Sequence, residues 1–125
     1  MIGQLAEVIV YVEDMAAQVA FYRDVLGLAV IEPPSGTDPA GAYWVLFDTG
    51  ACRLALHGGG QRRFGADAPK FVFAVDDVVA RREWLLSAGV QVGDVRSPAP
   101  GLQVVDATDP EGNVFSLERR DTTLA

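Results

Sequence analysis

His57 and Cys52 are the only imidazole and the only thiol of the chain, so neither an internal disulfide nor a cysteine/histidine zinc cluster can form. The candidates for chemistry are polar residues set among apolar ones: Glu7, Arg53, His57, Lys70, Ser116 and Glu118. An imidazole titrates near neutrality, so His57 is a candidate general base or ligand donor, although no Ser or Cys stands beside it as a nucleophile. A half-exposed histidine closing a strand beside glycines is the structural alternative. Glu7 and Lys70 carry opposite charges and are read as an ion pair. Such a pair would either orient a polar ligand group or neutralise two partly buried charges with little net gain in stability.

The elements that must position these residues follow from apolar spacing. Residues 6–12 alternate as a strand with Glu7, Ile9 and Tyr11 on one face. Asp14 is placed to cap a helix from Met15 to Leu26, with Val19, Tyr22 and Leu26 on one stripe, Phe21 and Val25 beside it, and Gly27 as its stop. Leu28 to Glu32 resume as a strand, and Pro33-Pro34-Ser35-Gly36 opens a loop to about Gly41. Tyr43 to Asp48 and Cys52 to His57 then pair antiparallel across Thr49-Gly50. Alternation sets Cys52, Leu54 and Leu56 against Arg53, Ala55 and His57. Gly58-Gly59-Gly60 and the polar stretch to Pro69 are read as a linker, because no Gly-Lys-Ser/Thr ending follows that would make them a phosphate cradle. Near the other end, Asp109-Pro110-Glu111-Gly112-Asn113 has turn chemistry, with Gly112 and Asn113 suited to the left-handed region. It delivers Val114 to Glu118, with Phe115 and Leu117 on one face and Val114, Ser116 and Glu118 on the other.

The second half repeats the first. Lys70 to Val92 overlays Glu7 to Val30, so that Val75 falls on Val12, Asp77 on Asp14 and Trp84 on Phe21. With one residue deleted, Gly89 falls on Gly27. The overlay continues with Leu54 to His57 on Phe115 to Glu118 and Asp48 opposite Asp109. One such module leaves a sheet face bare and two can cover it, which predicts an α+β fold of two βαβββ modules, residues 4–57 and 69–119 of a single domain, around a cleft. Glu7 and Lys70 from the leading strands, and Ala55 and Ser116 from the closing strands, then converge on that cleft. Tyr11, Tyr43, Trp44, Phe47 and Phe64 are candidates for an aromatic slot, whereas Trp84 is expected in the core. Arg62-Arg63 reads as a solvated loop that an anionic substrate would meet only if the loop folded over the cleft.

With half its residues apolar and 22% charged over 125 residues, the chain has the composition of a compact globular protein. A formal charge of −7 disfavours nucleic acid and anionic membranes as partners. The N-terminus lacks a basic segment followed by an apolar one, and no apolar run reaches the ~20 residues that span a bilayer. A cytoplasmic protein is expected.

Four blocks in order, Leu5-Ala6-Glu7-Val8-Ile9-Val10-Tyr11-Val12-Glu13-Asp14, Phe21-Tyr22-Arg23-Asp24-Val25-Leu26-Gly27-Leu28, Phe73-Ala74-Val75-Asp76-Asp77-Val78 and the Asp109 to Asn113 turn, closely resemble the vicinal-oxygen-chelate superfamily. That superfamily includes glyoxalase I, bleomycin-resistance proteins, fosfomycin-resistance enzymes and extradiol dioxygenases. The resemblance implies paired βαβββ modules, a homodimer and, in the metal-dependent members, a divalent cation held by His or Glu at the positions of Glu7, Ala55, Lys70 and Ser116. Of these only Glu7 can ligate well here: Lys70 repels a cation, Ser116 is a poor neutral donor and Ala55 offers nothing. A displaced metal site of Glu7, His57 and Glu118 is the alternative, since His57 and Glu118 lie two residues beyond Ala55 and Ser116 on the same face, ~6–7 Å along the strand.

Two functions of different class follow. The first is a binding protein without metal or other cofactor that holds a small molecule in a cleft lined by Glu7, Ile9, Tyr11, Tyr43, Arg53, His57, Lys70, Val72, Ser116 and Glu118. The second is a lyase, isomerase or dioxygenase dependent on a divalent metal ion. The homodimer is testable at once: sedimentation at micromolar concentration should give about twice the 13.3 kDa chain mass, and a monomer would contradict it.

Overall fold

The computed structural model describes residues 5–61 and 68–121. The chain divides into two compact units, Met1–Phe64 and Gly65–Ala125. The first holds β1 (Glu7–Tyr11), α1 (Met15–Val19) running into a π-helical turn (Ala20–Val25), β2 (Ala29–Glu32), β3 (Trp44–Asp48) and β4 (Arg53–His57). The second holds β5 (Phe71–Ala74), α2 (Val78–Ser87), β6 (Arg96–Ala99), β7 (Leu102–Thr108) and β8 (Val114–Arg120). Each unit forms one four-stranded sheet, in the orders β1-β4-β3-β2 and β5-β8-β7-β6. The leading and closing strands pair in parallel and the rest antiparallel, so each unit is the expected βαβββ module and the fold is α+β. Among the described residues no helix is long and apolar enough to cross a membrane.

Equivalent residues build equivalent joints. Asp14 and Asp77 both sit extended at helix N-caps and accept the backbone N–H of the residue three positions on, Ala17 and Ala80, each at 3.0 Å. Such caps stabilise a helix by about 1 kcal/mol. Alternation then assigns the faces. In the first unit Val45, Phe47, Leu54 and Leu56 are buried with Val19, Phe21 and Tyr22 of the helix, whose Tyr22 ring lies 6.2 Å from that of Phe47. In the second, Val105, Ala107, Phe115 and Leu117 are buried with Val78 and Leu85, and α2 packs on β7 and β8. Each of these larger side chains contributes about 1.5–3 kcal/mol by leaving water.

The one-residue offset in the repeat has a structural origin. A π turn is an α-helix with one residue inserted, and the first helix carries it where the second is regular α. The N–H of Leu28 closes onto the carbonyl of Tyr22, six residues back, at 3.0 Å, whereas Val90 closes onto Leu85, five back, at 2.9 Å. Both helices then end on a left-handed glycine, Gly27 at φ +77° and Gly89 at φ +78°. The same difference corrects the placement of Trp84. The wider π turn buries the neighbours Phe21 and Tyr22 together, but α2 buries Val78 and Leu85, seven apart on one stripe, and leaves Trp84 51% exposed.

The Asp109 turn is held by its carboxylate. Oδ1 accepts the N–H groups of Glu111 and Asn113, both at 2.9 Å, and Oδ2 accepts the Asn113 amide at 2.8 Å. Gly112 takes φ +83°, while Asn113 does not enter the left-handed region and acts through its side chain instead. Asp48 plays the matching part in the first unit, accepting the Gly50 N–H at 2.9 Å. Because Asp109 is buried, its replacement leaves several N–H groups without their acceptor. Asp109→Ala should lower unfolding free energy in urea by about 3 kcal/mol and Asp109→Asn by about half as much, and equal effects of the two would contradict this role.

Candidate functional site

On the first sheet, the face opposite the helix carries rows set by strand register: Tyr11, His57 and Trp44; then Ile9, Ala55 and Leu46; then Glu7 beside Arg53. The first row is aromatic. The His57 ring centroid lies 4.8 Å from Tyr11, 5.1 Å from Tyr43 at 69° and 6.1 Å from Trp44 at 89°. Tyr11 and Tyr43 remain 53% and 66% exposed, so this cluster is a surface a ligand can reach and not a sealed core. Phe47, expected as a further candidate for the slot, is fully buried on the helix face because it is one residue out of phase with Leu46. Phe64, Arg62 and Arg63 lie outside the described residues.

Gly58 to Gly60, expected as the start of a linker, instead finish this cluster. A Cβ on Gly58 would meet the Tyr43 ring at 2.8 Å, and one on Gly59 would lie 2.6 Å from its hydroxyl. On Gly60 it would fall 2.6 Å from the backbone of Tyr11 and Val12, where the Gly60 N–H donates to the Val12 carbonyl at 2.9 Å. Three glycines are what lets the chain turn under Tyr43 and against β1.

On the second sheet, Lys70 immediately precedes β5, Val72 pairs with Ser116, and Ala74 with Glu118. Ile9 opposite Ala55 and Val72 opposite Ser116 hold matching places, so the equivalence of Glu7 and Lys70 is carried by strand register. The centre of this face is Asp106, which pairs with Ser116 across β7 and β8 and was not singled out from the sequence. Its Oδ2 accepts from the Arg96 guanidinium at 2.6 Å. Its Oδ1 accepts from the Ser116 hydroxyl at 2.5 Å and faces the Lys70 ammonium at 3.4 Å. The Arg96 guanidinium foremost, helped by Ser116 and Lys70 against the cost of partial burial, lowers the Asp106 carboxyl to about 2. Glu118 is matched by Arg120 at 3.1 Å. A signal for Asp106 did exist, since it is the one charge in the otherwise apolar run Val104-Val105-Asp106-Ala107.

Glu7 and His57 stand four residues apart along the paired strands β1 and β4, about 13 Å, so this sheet does not bring those two donors together. Among the described residues no group of three or more His, Cys, Asp or Glu side chains is placed to hold a metal ion.

The family described as the Glyoxalase/Bleomycin resistance protein/Dioxygenase superfamily matches residues 4–117. The chain belongs to this superfamily. Solved structures carry the likeness in fold. That of SMU.1112c superposes with a TM-score of 0.78 at 23% identity, covering 95% of this chain and 100% of that one. TnmS3, an antibiotic binding protein from Streptomyces sp. CB03234, gives 0.74 at 22% identity over 96% and 98% of the two chains. A glyoxalase/bleomycin resistance protein from the same source gives 0.71 at 22% identity over 93% and 100%. No curated protein matches the chain.

Within this glyoxalase-type fold the Asp106 cluster has a pH signature. A carboxyl lowered on folding stabilises the protein fully above its unfolded value near 3.8, and that stability is lost as pH falls toward about 2. With the side chain 35% exposed, solvent screening reduces the contribution to about 1 kcal/mol. Asp106→Asn should therefore lower stability by about that amount at neutral pH and should flatten the acid limb between pH ~4 and ~2. An acid limb identical to that of the parent protein would contradict it.

Proposed function

We propose that this superfamily member is a small-molecule-binding protein that works without a bound metal and acts as a homodimer. The observation that carries the reading is the occupancy of Asp106. The carboxylate nearest Ser116 is already engaged by a guanidinium, an ammonium and a hydroxyl, so the second sheet presents a cluster of net positive charge where a metal-dependent relative would need free anionic donors. Lys70 adds a fixed positive charge at the place equivalent to Glu7, and Ala55 supplies no donor. On the first sheet the row around His57 is aromatic and reachable, which suits burial of a flat apolar body with few polar contacts. TnmS3, with the same fold, is an antibiotic binding protein, which is consistent with this use of the fold.

The competing reading is a lyase, isomerase or dioxygenase built on Glu7 with His57 and Glu118. It is weakened by the ~13 Å between Glu7 and His57 and by the pairing of Glu118 with Arg120. Elemental analysis of protein purified without chelator separates the two. Binding without metal predicts transition-metal content far below one ion per chain, and a stoichiometric ion lost on Glu7→Ala would overturn the proposal.

A further inference from the structure

The His57 ring is held by one main-chain contact: its Nδ1 lies 2.7 Å from the carbonyl oxygen of Gly58. A carbonyl can only accept, so Nδ1 carries the proton, and in the neutral ring the lone pair is left on Nε2. The acceptor is itself fixed, because Gly58 is buried and its N–H donates to the Tyr43 carbonyl at 2.7 Å. Among the described residues it is therefore a backbone carbonyl that sets the tautomer. The rings of Tyr11, Tyr43 and Trp44 stand around it, with centroids 4.8, 5.1 and 6.1 Å away.

We propose that His57 is the specificity-determining residue of the ligand surface, a fixed-tautomer acceptor that selects flat aromatic molecules bearing an O–H or N–H donor. This rests on the small-molecule reading above. The physical reason is asymmetric. A flat ligand that covers Tyr11 and Tyr43 would shut the half-buried His57 ring off from solvent, and with it any hydrogen bond that solvent gives Nε2. A ligand with a donor replaces that hydrogen bond, while one without it leaves a desolvated acceptor unmatched. The expected discrimination is about tenfold or more in affinity.

The test uses two probes of like shape, 2-naphthol and 2-methoxynaphthalene, titrated into the full chain under mildly alkaline conditions where free imidazole is neutral. Calorimetry should show 2-naphthol binding about tenfold or more tightly, and His57→Phe, which keeps a ring but no acceptor, should bind the two probes equally. His57→Gln, which restores a carbonyl acceptor, should recover part of the preference. Should the Phe variant not fold, the unaltered protein still decides: His57 is the sole histidine, so its ring nitrogens give unambiguous NMR signals. Those signals should show protonated Nδ1 and unprotonated Nε2, with Nε2 shifting on addition of 2-naphthol and not of its methyl ether. Equal binding of both probes to the parent protein, a preference that survives in His57→Phe, or the opposite tautomer would overturn the inference while leaving the small-molecule reading standing. Failure of both probes to bind would overturn both.

Discussion

The parallel pairing of the first and last strand of each unit is the constraint from which the rest follows. Parallel neighbours cannot be joined by a tight turn, so the chain must cross the sheet between them; in each unit the helix makes that crossing from the first strand to the far-edge strand, and it covers one face of the sheet. The candidate site residues on the strands then lie on the other face, at heights set by register. Ile9 opposite Ala55 and Val72 opposite Ser116 mark the same height in the two sheets. The two faces have diverged in content, the first aromatic around His57 and the second ionic around Asp106.

That divergence follows from what each strand brings beside the closing one. In the first unit β3 supplies Trp44 and Leu46 opposite His57 and Ala55, so an imidazole sits among rings. In the second, β7 supplies Asp106 opposite Ser116, and β6 sends Arg96 to the same carboxylate. A partly exposed carboxylate with two cations and a hydroxyl has its charge answered locally, which fixes the side chains but leaves little capacity to bind a further cation.

Much of this was legible in the sequence because it is written in short-range chemistry. The two aspartate caps, the two stop glycines, the strand alternation and the Asp109 turn each depend on residues within a few positions of one another, and the overlay of the halves located them in pairs. What escaped depended on contacts across strands or on helix type. Lys70 and Asp106 are 36 residues apart and meet only once β5, β8 and β7 are in register. Trp84 is exposed because α2 buries the stripe of Val78 and Leu85 instead, and an overlay that sets it on the buried Phe21 does not register that difference. Gly58 to Gly60 look like any flexible run until the Tyr43 ring and the β1 backbone are seen to fill the space a Cβ would need.

On the reading proposed above, these faces meet a ligand through aromatic rings and a cation-rich polar cluster and not through a divalent cation. The most direct measurement is paramagnetic broadening of backbone amide signals on stepwise addition of Mn(II) to the protein. The account predicts only weak, scattered broadening at exposed carboxylates, with amides of β1, β4, β5 and β8 unaffected at stoichiometric metal. Selective loss of signals around Glu7 together with His57 or Ser116 at one equivalent would contradict it.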